Sequence, residues 1–521
     1  MIFPRIARGL LPNLARLLDQ GSHARLTSVV PWQTPVAWTS FATGLNPGGH
    51  GIYGWWRPNI DAGQLQPSSG KDVTAARFWE ILSANGIRVG IINVPMSYPA
   101  RPVKGFLISG FDSPWAFPEM DPTFAYPRGL IERLRDQGID YRVIPWPLIQ
   151  DDPLSAVQSW QQVEGVRVNA AISLLKEFQP DYLQVNLFLT DYIAHRTKLG
   201  DEALDIAYEV ADELTGKLLE AATPATTFLV VSDHGSCPID KFVMIHNLLQ
   251  NLGLLQFKPW LADEQVPGFL GPGASTADVE SLTARLQREG ASLRERLYRK
   301  VQVEQPGLNI GFTTIDWDQT KAYCVSDYGQ VRINSQRGRA AVHSENEETL
   351  ILNQIRDAFL ALKDPGTQER LIHSVLDRDM LYKGRFAHAG PDLTPILADH
   401  SYYFCQVYSF YGTGEKKVVV PVATVVDPSS NGCAGDHHPH GILMAVGPSI
   451  PAGVEMADAS ILDLAPTILN GFGLDPLPEH EGSILGDLFG RERVATTKGV
   501  PLNSDLATAL RDRLQALGYK I

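Results

Sequence analysis

The sequence predicts an α/β fold with a mostly parallel central sheet flanked by helices. Short apolar segments, each long enough for one buried strand, recur along the chain, and amphipathic helical stretches separate some of them. Polar residues follow several of these apolar runs directly. In a parallel sheet such positions meet outside the carboxyl ends of the strands, which is where ligands bind.

Five apolar segments are predicted strands, and three stretches are predicted helices. The strands begin at Arg88 (RVGIINVP), Gly105 (GFLISGF), Asp181 (DYLQVNLFL), Thr226 (TTFLVVSDHG) and Gly441 (GILMAVGP). Helical periodicity is found over residues 163–178 and 202–219. It is also found in LPNLARLLDQG, where leucines share one face and Gly21 ends the helix.

The middle of the chain differs in composition from the rest. It holds a Pro/Gly-rich segment (VPGFLGPGASTAD), a charged helical stretch (DVESLTARLQREGASLRERLYRK) and a strand-like segment (KAYCVSDYGQVRINSQRGR). We therefore predict a core in two parts, residues 1–236 and 386–521, with residues 237–385 forming an inserted or cap region.

Composition and charge exclude several classes of partner. The chain has 521 residues, of which 44% are hydrophobic, and a net charge of -13. This balance gives no general electrostatic reason to bind nucleic acid or an anionic membrane. No apolar run is long enough to span a bilayer, and the cysteines are far apart, which is typical of reduced thiols. We expect a cytoplasmic protein that acts on a small molecule; its oligomeric state stays open.

Acidic residues and histidines cluster at three of the predicted strand ends. Asp191 and His195 are four residues apart, so a helix that begins near Asp191 would place both on one face. Asp233 and His234 directly follow an apolar run, and His437 precedes the last predicted strand. Each cluster alone could be a helix cap or a polar loop. Together they supply the carboxylate oxygens and imidazole nitrogens that zinc accepts.

One hydroxyl residue, Thr34, stands directly before a proline and shortly after the apolar segment LTSVV. Thr before Pro is common in turns, and Thr39 or Ser40 could begin a following helix. The alternative is a nucleophile, because coordination to a metal lowers the pKa of a hydroxyl. Pro35 favours extended backbone at Thr34, which would point the hydroxyl out of the strand end.

Four ordered motifs resemble the alkaline phosphatase superfamily, and they are most similar to its branch of type I phosphodiesterases and nucleotide pyrophosphatases. They are PWQTPVAWTSFATGLNPGGHGIYG, TDYIAH, VVSDHGS and GDHHPHGILMAVGP. The late segment ILDLAPTILNGFGLDPLPEHEGSIL is similar to the C-terminal helix and loop of that superfamily. Within the branch the chain resembles bacterial and archaeal phosphohydrolase/phosphomutase-like proteins. The resemblance implies an alkaline-phosphatase-like fold and a phosphoric ester hydrolase.

The resemblance also implies a site with two divalent metal ions, most often Zn²⁺, with Mn²⁺ as an alternative. Six side chains would form this site: Asp191, His195 and His437 at the first ion, and Thr34, Asp233 and His234 at the second. Thr34 would attack phosphorus and form a phosphothreonine intermediate, which water then hydrolyses. The implied substrate is a small phosphorylated compound, either a phosphodiester or a monoester.

One feature of the family is not found in the chain. Relatives begin with a strand that ends in an aspartate for the second ion, whereas this chain begins with MIFPRIARGLLPNLARLLDQG, which is similar to the helix after that strand. This difference implies a start placed too late, or a truncated, non-catalytic relative that binds a ligand or one metal. Because a missing inner strand would expose neighbouring edges, we expect the chain as written to be poorly stable or insoluble.

Two other activities share this fold. Sulfatases carry a Cys or Ser two residues before Pro, with Arg following, whereas Thr34 immediately precedes Pro35. Phosphomutase activity stays open, because the same site can return the phosphoryl group to an isomeric product. Nucleotide pyrophosphatases usually place an Asn three residues after the nucleophile. That position is Ala37, which disfavours nucleotide pyrophosphate substrates.

Overall fold

The computed structural model describes residues 1–60, 64–110, 113, 121–145, 152–257, 315–405, 417–421 and 434–489. Within these ranges helices and strands are interleaved along the chain, and the predicted α/β class is confirmed. The Pro/Gly-rich segment and the charged helical stretch predicted for the middle region lie outside the described residues.

The elements are numbered in chain order. The helices are α1 (Ile2–Ala7), α2 (Pro12–Gln20), α3 (Thr34–Thr43), α4 (Pro47–His50), α5 (Phe78–Ala84), α6 (Leu130–Asp136), α7 (Pro153–Phe178), α8 (Leu189–Ala194), α9 (Glu202–Ala221), α10 (Ile245–Asn251), α11 (Glu345–Ala361), α12 (Arg378–Leu381), α13 (Leu464–Gly471) and α14 (Gly486–Phe489). The strands are β1 (Ser22–Thr27), β2 (Trp56–Asn59), β3 (Gln64–Pro67), β4 (Val89–Val94), β5 (Gly105–Ser109), β6 (Ala125–Tyr126), β7 (Tyr182–Val185), β8 (Phe228–Val231), β9 (Gly235–Pro238), β10 (Lys241–Met244), β11 (Ala322–Cys324), β12 (Val331–Ile333), β13 (Ile372–Asp377), β14 (Leu393–Leu397), β15 (Tyr402–Cys405), β16 (Val419–Pro421), β17 (Gly435–His438), β18 (His440–Val446), β19 (Val454–Glu455) and β20 (Ala459–Ser460).

The predicted strands and helices of the core are all present, and helix caps set several of their ends. The five strands are β4, β5, β7, β8 and β18, and LPNLARLLDQG forms α2. Helix α7 begins at Pro153 rather than near 163, because the Asp152 carboxylate accepts a hydrogen bond from the Ser155 N–H and Pro fits the first turn. Helix α9 begins after Asp201, whose carboxylate accepts from the Ala203 N–H.

Two sheets form the centre of the core. The first has the order β6–β5–β4–β7, in which β4 is parallel to both β5 and β7, and β6 is antiparallel to β5. The second has the order β19–β1–β18–β8, with β20 also beside β1. Here β18 is antiparallel to both β1 and β8, while β19 and β20 are parallel to β1. Parallel pairing is therefore found in both sheets, and antiparallel pairing is concentrated around β18.

A single hydrophobic cluster joins the two sheets. It contains Leu26 of β1, Leu443 of β18 and Ile91 of β4, and it includes buried residues of α3, α5 and α13. Burying this shared apolar face supplies most of the driving force that holds the sheets and helices together. Among the described residues, none of the helices combines the length and the apolar character that a membrane span requires.

The two strands that lead into the candidate site lie at sheet edges. Within the described residues, β7 pairs with β4 alone and β8 pairs with β18 alone. All four residues of each strand are partly exposed, whereas all six residues of β4 are buried. Each of these two strands therefore presents one edge of backbone N–H and C=O groups to which no described strand is paired. The absence of an inner strand stays a prediction.

The middle of the chain forms its own hydrophobic cluster. A sheet with the order β11–β12–β14–β13 packs with α10 and α11, and the strand-like segment predicted from the sequence supplies β11 and β12. A three-stranded sheet, β15–β10–β16, borders this cluster. Strand β14 lies beyond residue 385 in the sequence, and the predicted domain boundaries stay predictions.

Candidate metal and catalytic site

The six predicted site residues come from four chain segments that meet beyond the carboxyl ends of β7 and β8. Helix α8 carries Asp191 in its first turn and ends just before His195. Asp233 and His234 follow β8 directly, and the two remaining segments are β17 and the start of α3. Strand-to-helix connections of this kind are where α/β folds place their chemistry.

A buried carboxylate anchors the helix that carries Asp191. The Glu164 side chain of α7 accepts hydrogen bonds from the backbone N–H groups of Phe188 and Leu189, at the start of α8. It also accepts a hydrogen bond from the Arg167 guanidinium at 3.1 Å, and both side chains of this ion pair are fully buried. Since these N–H groups have no partners inside their own helix, Glu164 both caps α8 and fixes its position against α7.

Antiparallel pairing of β17 with β9 brings His437 against His234. In this register His437 lies opposite Ser236 and His438 opposite Gly235. The imidazole rings of His234 and His437 are stacked, with centroids 3.6 Å apart and an angle of 23° between the ring planes. The backbone at residue 235 also packs against the start of β18, which requires glycine, because a Cβ at 235 would lie 2.2 Å from the His440 carbonyl oxygen.

The Nε2 atom of His437 lies at the centre of the cluster. It is 2.9 Å from Nε2 of His195 and 3.4 Å from Oδ1 of Asp191. The same Asp191 oxygen is 3.6 Å from Nε2 of His195, and Oδ2 of Asp233 is 3.3 Å from Nε2 of His234. The structure thus brings these five predicted residues together.

The other ring nitrogen of each histidine faces a backbone carbonyl. Nδ1 of His195 is 3.0 Å from the Gly435 oxygen, Nδ1 of His234 is 2.9 Å from the Gly235 oxygen, and Nδ1 of His437 is 3.1 Å from the Trp32 oxygen. A carbonyl oxygen only accepts hydrogen bonds, so each Nδ1 carries a proton, and in the neutral ring each Nε2 presents a lone pair. These lone pairs point toward the same small volume.

Thr34 is buried beside this cluster, but its local conformation differs from the prediction. Its Oγ1 lies 3.4 Å from Nε2 of His234, close enough for the hydroxyl to donate a weak hydrogen bond. The expected extended turn is wrong, because Thr34 is the first residue of α3 and the extended residue is Gln33. Pro35 suits the second helical position, where its missing N–H would have no partner.

The expectation that Thr39 or Ser40 begins this helix is also wrong. Both lie inside α3. The Thr39 hydroxyl donates to the Pro35 carbonyl at 2.6 Å, and the Ser40 hydroxyl is 3.0 Å from Nε2 of a second buried histidine, His50. Neither side chain faces the metal-ligand cluster, so the two hydroxyls have structural roles.

Two sets of side chains bring potential metal-ligating atoms within 4.8 Å of one another. They are Asp191, His234 and His437, and His195, Asp436 and His437. The grouping differs from the predicted one, and it adds Asp436, a buried carboxylate whose Oδ1 is 3.9 Å from Nδ1 of His195. The buried Oδ2 of Asp233 has no hydrogen-bond donor. Inward imidazole lone pairs and a carboxylate oxygen without a donor fit a divalent cation such as zinc.

Sequence reasoning missed three residues of this region. Asp436 adjoins His437 in GDHHPH and could have been proposed from that position. Trp32 and Tyr328 contact the side of the His437 ring that faces away from the cluster. No sequence pattern around either residue predicts a place in the site. Tyr328 lies in the middle region, and only the folded chain brings it to the site.

Burial and the neighbouring charges shift the pKa values of Asp233 and Asp191 in opposite directions. Burial, with a smaller effect from the Asp191 charge, raises the pKa of Asp233 to about 8. Burial also opposes ionisation of Asp191, but His195 and His437, which attract the ionised carboxylate when their rings are protonated, outweigh the burial and hold the pKa of Asp191 below its usual range. Burial lowers the pKa of His234, which favours the neutral imidazole. Of these two carboxyl groups, Asp191 therefore ionises at lower pH than Asp233.

Comparison with protein families places most of the chain in a known family. Residues 2–409 match the family model described as type I phosphodiesterase / nucleotide pyrophosphatase. The match includes Thr34 and both Asp/His pairs, and it ends before His437. A comparison with curated protein sequences found no significant match.

Comparison with solved structures supports the same fold. Two crystal structures of phosphonoacetate hydrolase from Sinorhizobium meliloti 1021 are similar to this chain, one in complex with phosphonoformate and one with phosphonoacetate. In each case the TM-score is 0.52 and the sequences are 14% identical, over 88% of this chain and 90% of that chain. At this identity the likeness concerns the fold alone.

Proposed function

The chain belongs to the type I phosphodiesterase/nucleotide pyrophosphatase family of phosphoric ester hydrolases, in the alkaline phosphatase superfamily, and we propose that it is a metal-dependent phosphoryl hydrolase with Thr34 as its nucleophile. The proposed substrate is a small phosphorylated compound, a phosphodiester or a monoester. The proposed ligands of two divalent ions, zinc before manganese, are Asp191, His195 and His437 at one, and Asp233, His234 and Thr34 at the other.

One observation carries this proposal, the 2.9 Å separation of the Nε2 atoms of His195 and His437. Both Nδ1 atoms face acceptors, so when both rings are neutral neither Nε2 has a proton to share, and two lone pairs at this distance repel each other. A cation between them and Asp191 removes the repulsion and satisfies all three groups.

The start of α3 supports the placement of an anionic phosphoryl group beside Thr34. Pro35 has no N–H and the Val36 N–H already donates to the Gln33 carbonyl at 2.9 Å, so it is the positive end of the helix dipole that favours an anion here. Divalent ions held by the six side chains would lower the pKa of the Thr34 hydroxyl and offset the charge that develops on the phosphoryl oxygens.

The reaction proceeds in two steps on the side chain of Thr34. Oγ1 forms a bond to phosphorus while the bond from phosphorus to the leaving oxygen breaks, and the leaving group departs as an alcohol after taking up a proton. The product is phosphothreonine at position 34. Water then attacks the same phosphorus, which restores the threonine and releases phosphate or a phosphomonoester.

Two variants of α3 test the nucleophile. Thr34→Ala removes the attacking oxygen, and we expect turnover of bis(p-nitrophenyl) phosphate or p-nitrophenyl phosphate to fall by at least about 1,000-fold, with nearly unchanged metal content by mass spectrometry. The matched control is Thr39→Ala, which removes a buried hydroxyl of the same helix that donates to the Pro35 carbonyl. This variant should lose about 1 kcal/mol of folding stability, the typical contribution of one hydrogen bond. Because the folded protein stays intact, its turnover should change less than about threefold.

The same assay separates the alternatives. Turnover that survives Thr34→Ala excludes Thr34 as the nucleophile. Metal binding without turnover of a diester, a monoester or phosphonoacetate by the unaltered chain would indicate a non-catalytic relative. Conversion of a phosphorylated sugar to its isomer, without release of phosphate, would indicate a phosphomutase.

A further inference from the structure

The side of His437 that faces away from the cluster is held by two aromatic residues, Trp32 and Tyr328. Nδ1 of His437 is 2.8 Å from the Tyr328 hydroxyl and 3.1 Å from the Trp32 carbonyl oxygen. The Tyr328 hydroxyl is itself 3.0 Å from that carbonyl oxygen. The Trp32 indole N–H donates to the His437 carbonyl at 3.2 Å, so Trp32 contacts both the ring and the backbone of His437.

These contacts join three parts of the chain that are otherwise separate. Trp32 precedes Thr34 by two residues, His437 lies in β17, and Tyr328 lies in the turn between β11 and β12 of the middle region. The rings of Trp32 and Tyr328 pack edge to face with centroids 5.7 Å apart, and all three residues are buried. The Tyr328 N–H is bonded to the Ser326 hydroxyl, which fixes the turn. The hydroxyl of Tyr328 therefore has little freedom to move away.

The hydrogen-bond donors and acceptors allow one complete arrangement of protons. The Trp32 carbonyl only accepts, and the Tyr328 hydroxyl has one hydrogen to give. If that hydrogen goes to the Trp32 carbonyl, the Tyr328 oxygen accepts from Nδ1–H of His437 and all three atoms are satisfied. If it goes to Nδ1 instead, the carbonyl oxygen faces the unprotonated nitrogen at 3.1 Å, lone pair against lone pair.

We propose that Tyr328 is a positioning residue, supplied by the middle region, that holds His437 as its Nδ1–H tautomer with Nε2 facing Asp191 and His195. The expected effect of Tyr328 on metal binding rests on the proposed metal-dependent function. A ring nitrogen that binds a metal is oriented by the hydrogen bond of the other nitrogen, and loss of such a partner typically weakens metal binding by about 10- to 100-fold. The Trp32 carbonyl still accepts a hydrogen bond from Nδ1 of His437 when Tyr328 is altered. We therefore expect the lower end of this range, a decrease in metal affinity of about 10-fold.

The test compares Tyr328→Phe with a matched control, Tyr382→Phe. Tyr382 is a buried tyrosine of the same region, and its hydroxyl accepts from the Gln330 side-chain amide at 2.9 Å. The metal-free full chain, labelled with ¹⁵N-histidine, reports the tautomer of His437 through its two-bond proton–nitrogen couplings, with a His437→Gln sample for assignment. Competition with a chromogenic chelator reports the affinity for Zn²⁺.

The expected result is the Nδ1–H form of His437 in the unaltered chain and in Tyr382→Phe, and an increased share of the Nε2–H form in Tyr328→Phe. Affinity for Zn²⁺ should fall about 10-fold in Tyr328→Phe only. The Nε2–H form in the unaltered chain overturns the proposal without any variant, and so does an unchanged tautomer and affinity in a folded Tyr328→Phe. If the unaltered chain binds no divalent cation, the proposed function fails, while the tautomer spectra still decide the role of Tyr328.

Discussion

Two buried histidines, His50 and His437, use their ring nitrogens in opposite ways. Nδ1 of His50 accepts from the Ile52 N–H at 3.1 Å, so its proton lies on Nε2, which faces the Ser40 hydroxyl at 3.0 Å. His437 carries its proton on Nδ1, toward Trp32 and Tyr328, and turns Nε2 toward another imidazole. His50 is thus satisfied entirely by neutral neighbours.

The difference shows what separates a structural histidine from a candidate ligand. Burial alone does not, since both side chains have little or no solvent exposure. The pKa of His50 is lowered to about 3 by its burial and by the charge of Arg77, so it stays neutral at all ordinary pH values. What distinguishes His437 is that its Nε2 faces the Nε2 of His195 and the carboxylate of Asp191, whereas the Nε2 of His50 faces a neutral hydroxyl. The comparison suggests four experiments.

The largest expected effect comes from His437→Ala. This change removes the nitrogen that lies at the centre of the proposed ligands. Loss of a residue that only hydrogen-bonds to a metal ligand lowers metal affinity by up to about 100-fold, so we expect loss of the ligand itself to lower metal affinity and turnover by more than about 100-fold. Isothermal titration with Zn²⁺ and a p-nitrophenyl ester assay measure the two quantities. A Zn²⁺ affinity within a few-fold of that of the unaltered chain would show that His437 is not a metal ligand.

The matching change in the other histidine, His50→Ala, should leave metal binding intact but lower stability. It creates a cavity and leaves the Ile52 N–H and the Ser40 hydroxyl without partners. We expect the free energy of unfolding to fall by about 3 kcal/mol, as measured by urea denaturation. Affinity for Zn²⁺ should stay within about twofold, because no polar contact of His50 reaches the cluster. Loss of metal binding in a variant that is still folded would contradict the comparison.

A third effect follows from the carboxyl groups of the cluster. The raised pKa of Asp233, about 8, means that the metal-free folded protein holds a proton there at neutral pH. That proton contributes stability below the ordinary aspartate pKa of about 3.9, and the contribution is lost as pH rises through about 8. Because a metal ligand must be deprotonated, Zn²⁺ affinity should rise with pH, by up to about tenfold per unit between roughly pH 6.5 and 8.

Calorimetry at pH 7 in buffers of different ionisation enthalpy counts the protons released on metal binding. We expect close to one proton from Asp233, whereas Asp191, whose pKa is held low, contributes none. Metal binding without proton release at pH 7 would show that Asp233 is already ionised.

The smallest effect is expected from Ser40→Ala, which removes only the hydroxyl partner of His50. The free energy of unfolding should fall by about 1 kcal/mol, the typical contribution of one buried hydrogen bond. Turnover should be unchanged, because Ser40 lies inside α3 and its hydroxyl contacts His50 rather than a proposed site residue. A decrease in turnover comparable with that of Thr34→Ala would place Ser40 in the site instead.

Much of the fold and of the candidate site could be predicted from local signals. Apolar runs marked β4, β5, β7, β8 and β18, and the polar residues near the ends of these strands included five of the six proposed site residues. The sixth, Thr34, was proposed from its position after LTSVV and before Pro35. Local chemistry was misleading at Thr34, where preference for extended backbone before proline gave way to the start of α3. Tyr328 could not be predicted, since its role depends on packing between the middle region and β17 rather than on any pattern around it.

The contacts at Nδ1 of His437 also have a consequence for folding. Trp32 and Tyr328 are 296 residues apart in the chain, Tyr328 and His437 are 109 apart, and Trp32 and His437 are 405 apart. Closing such long loops costs entropy before the contacts form, so these three residues meet only when the core and the middle region are both assembled. A partly folded chain cannot present the oriented His437. A cation bound there stabilises only the completed fold, by about 2.7 kcal/mol at a concentration 100 times its Kd.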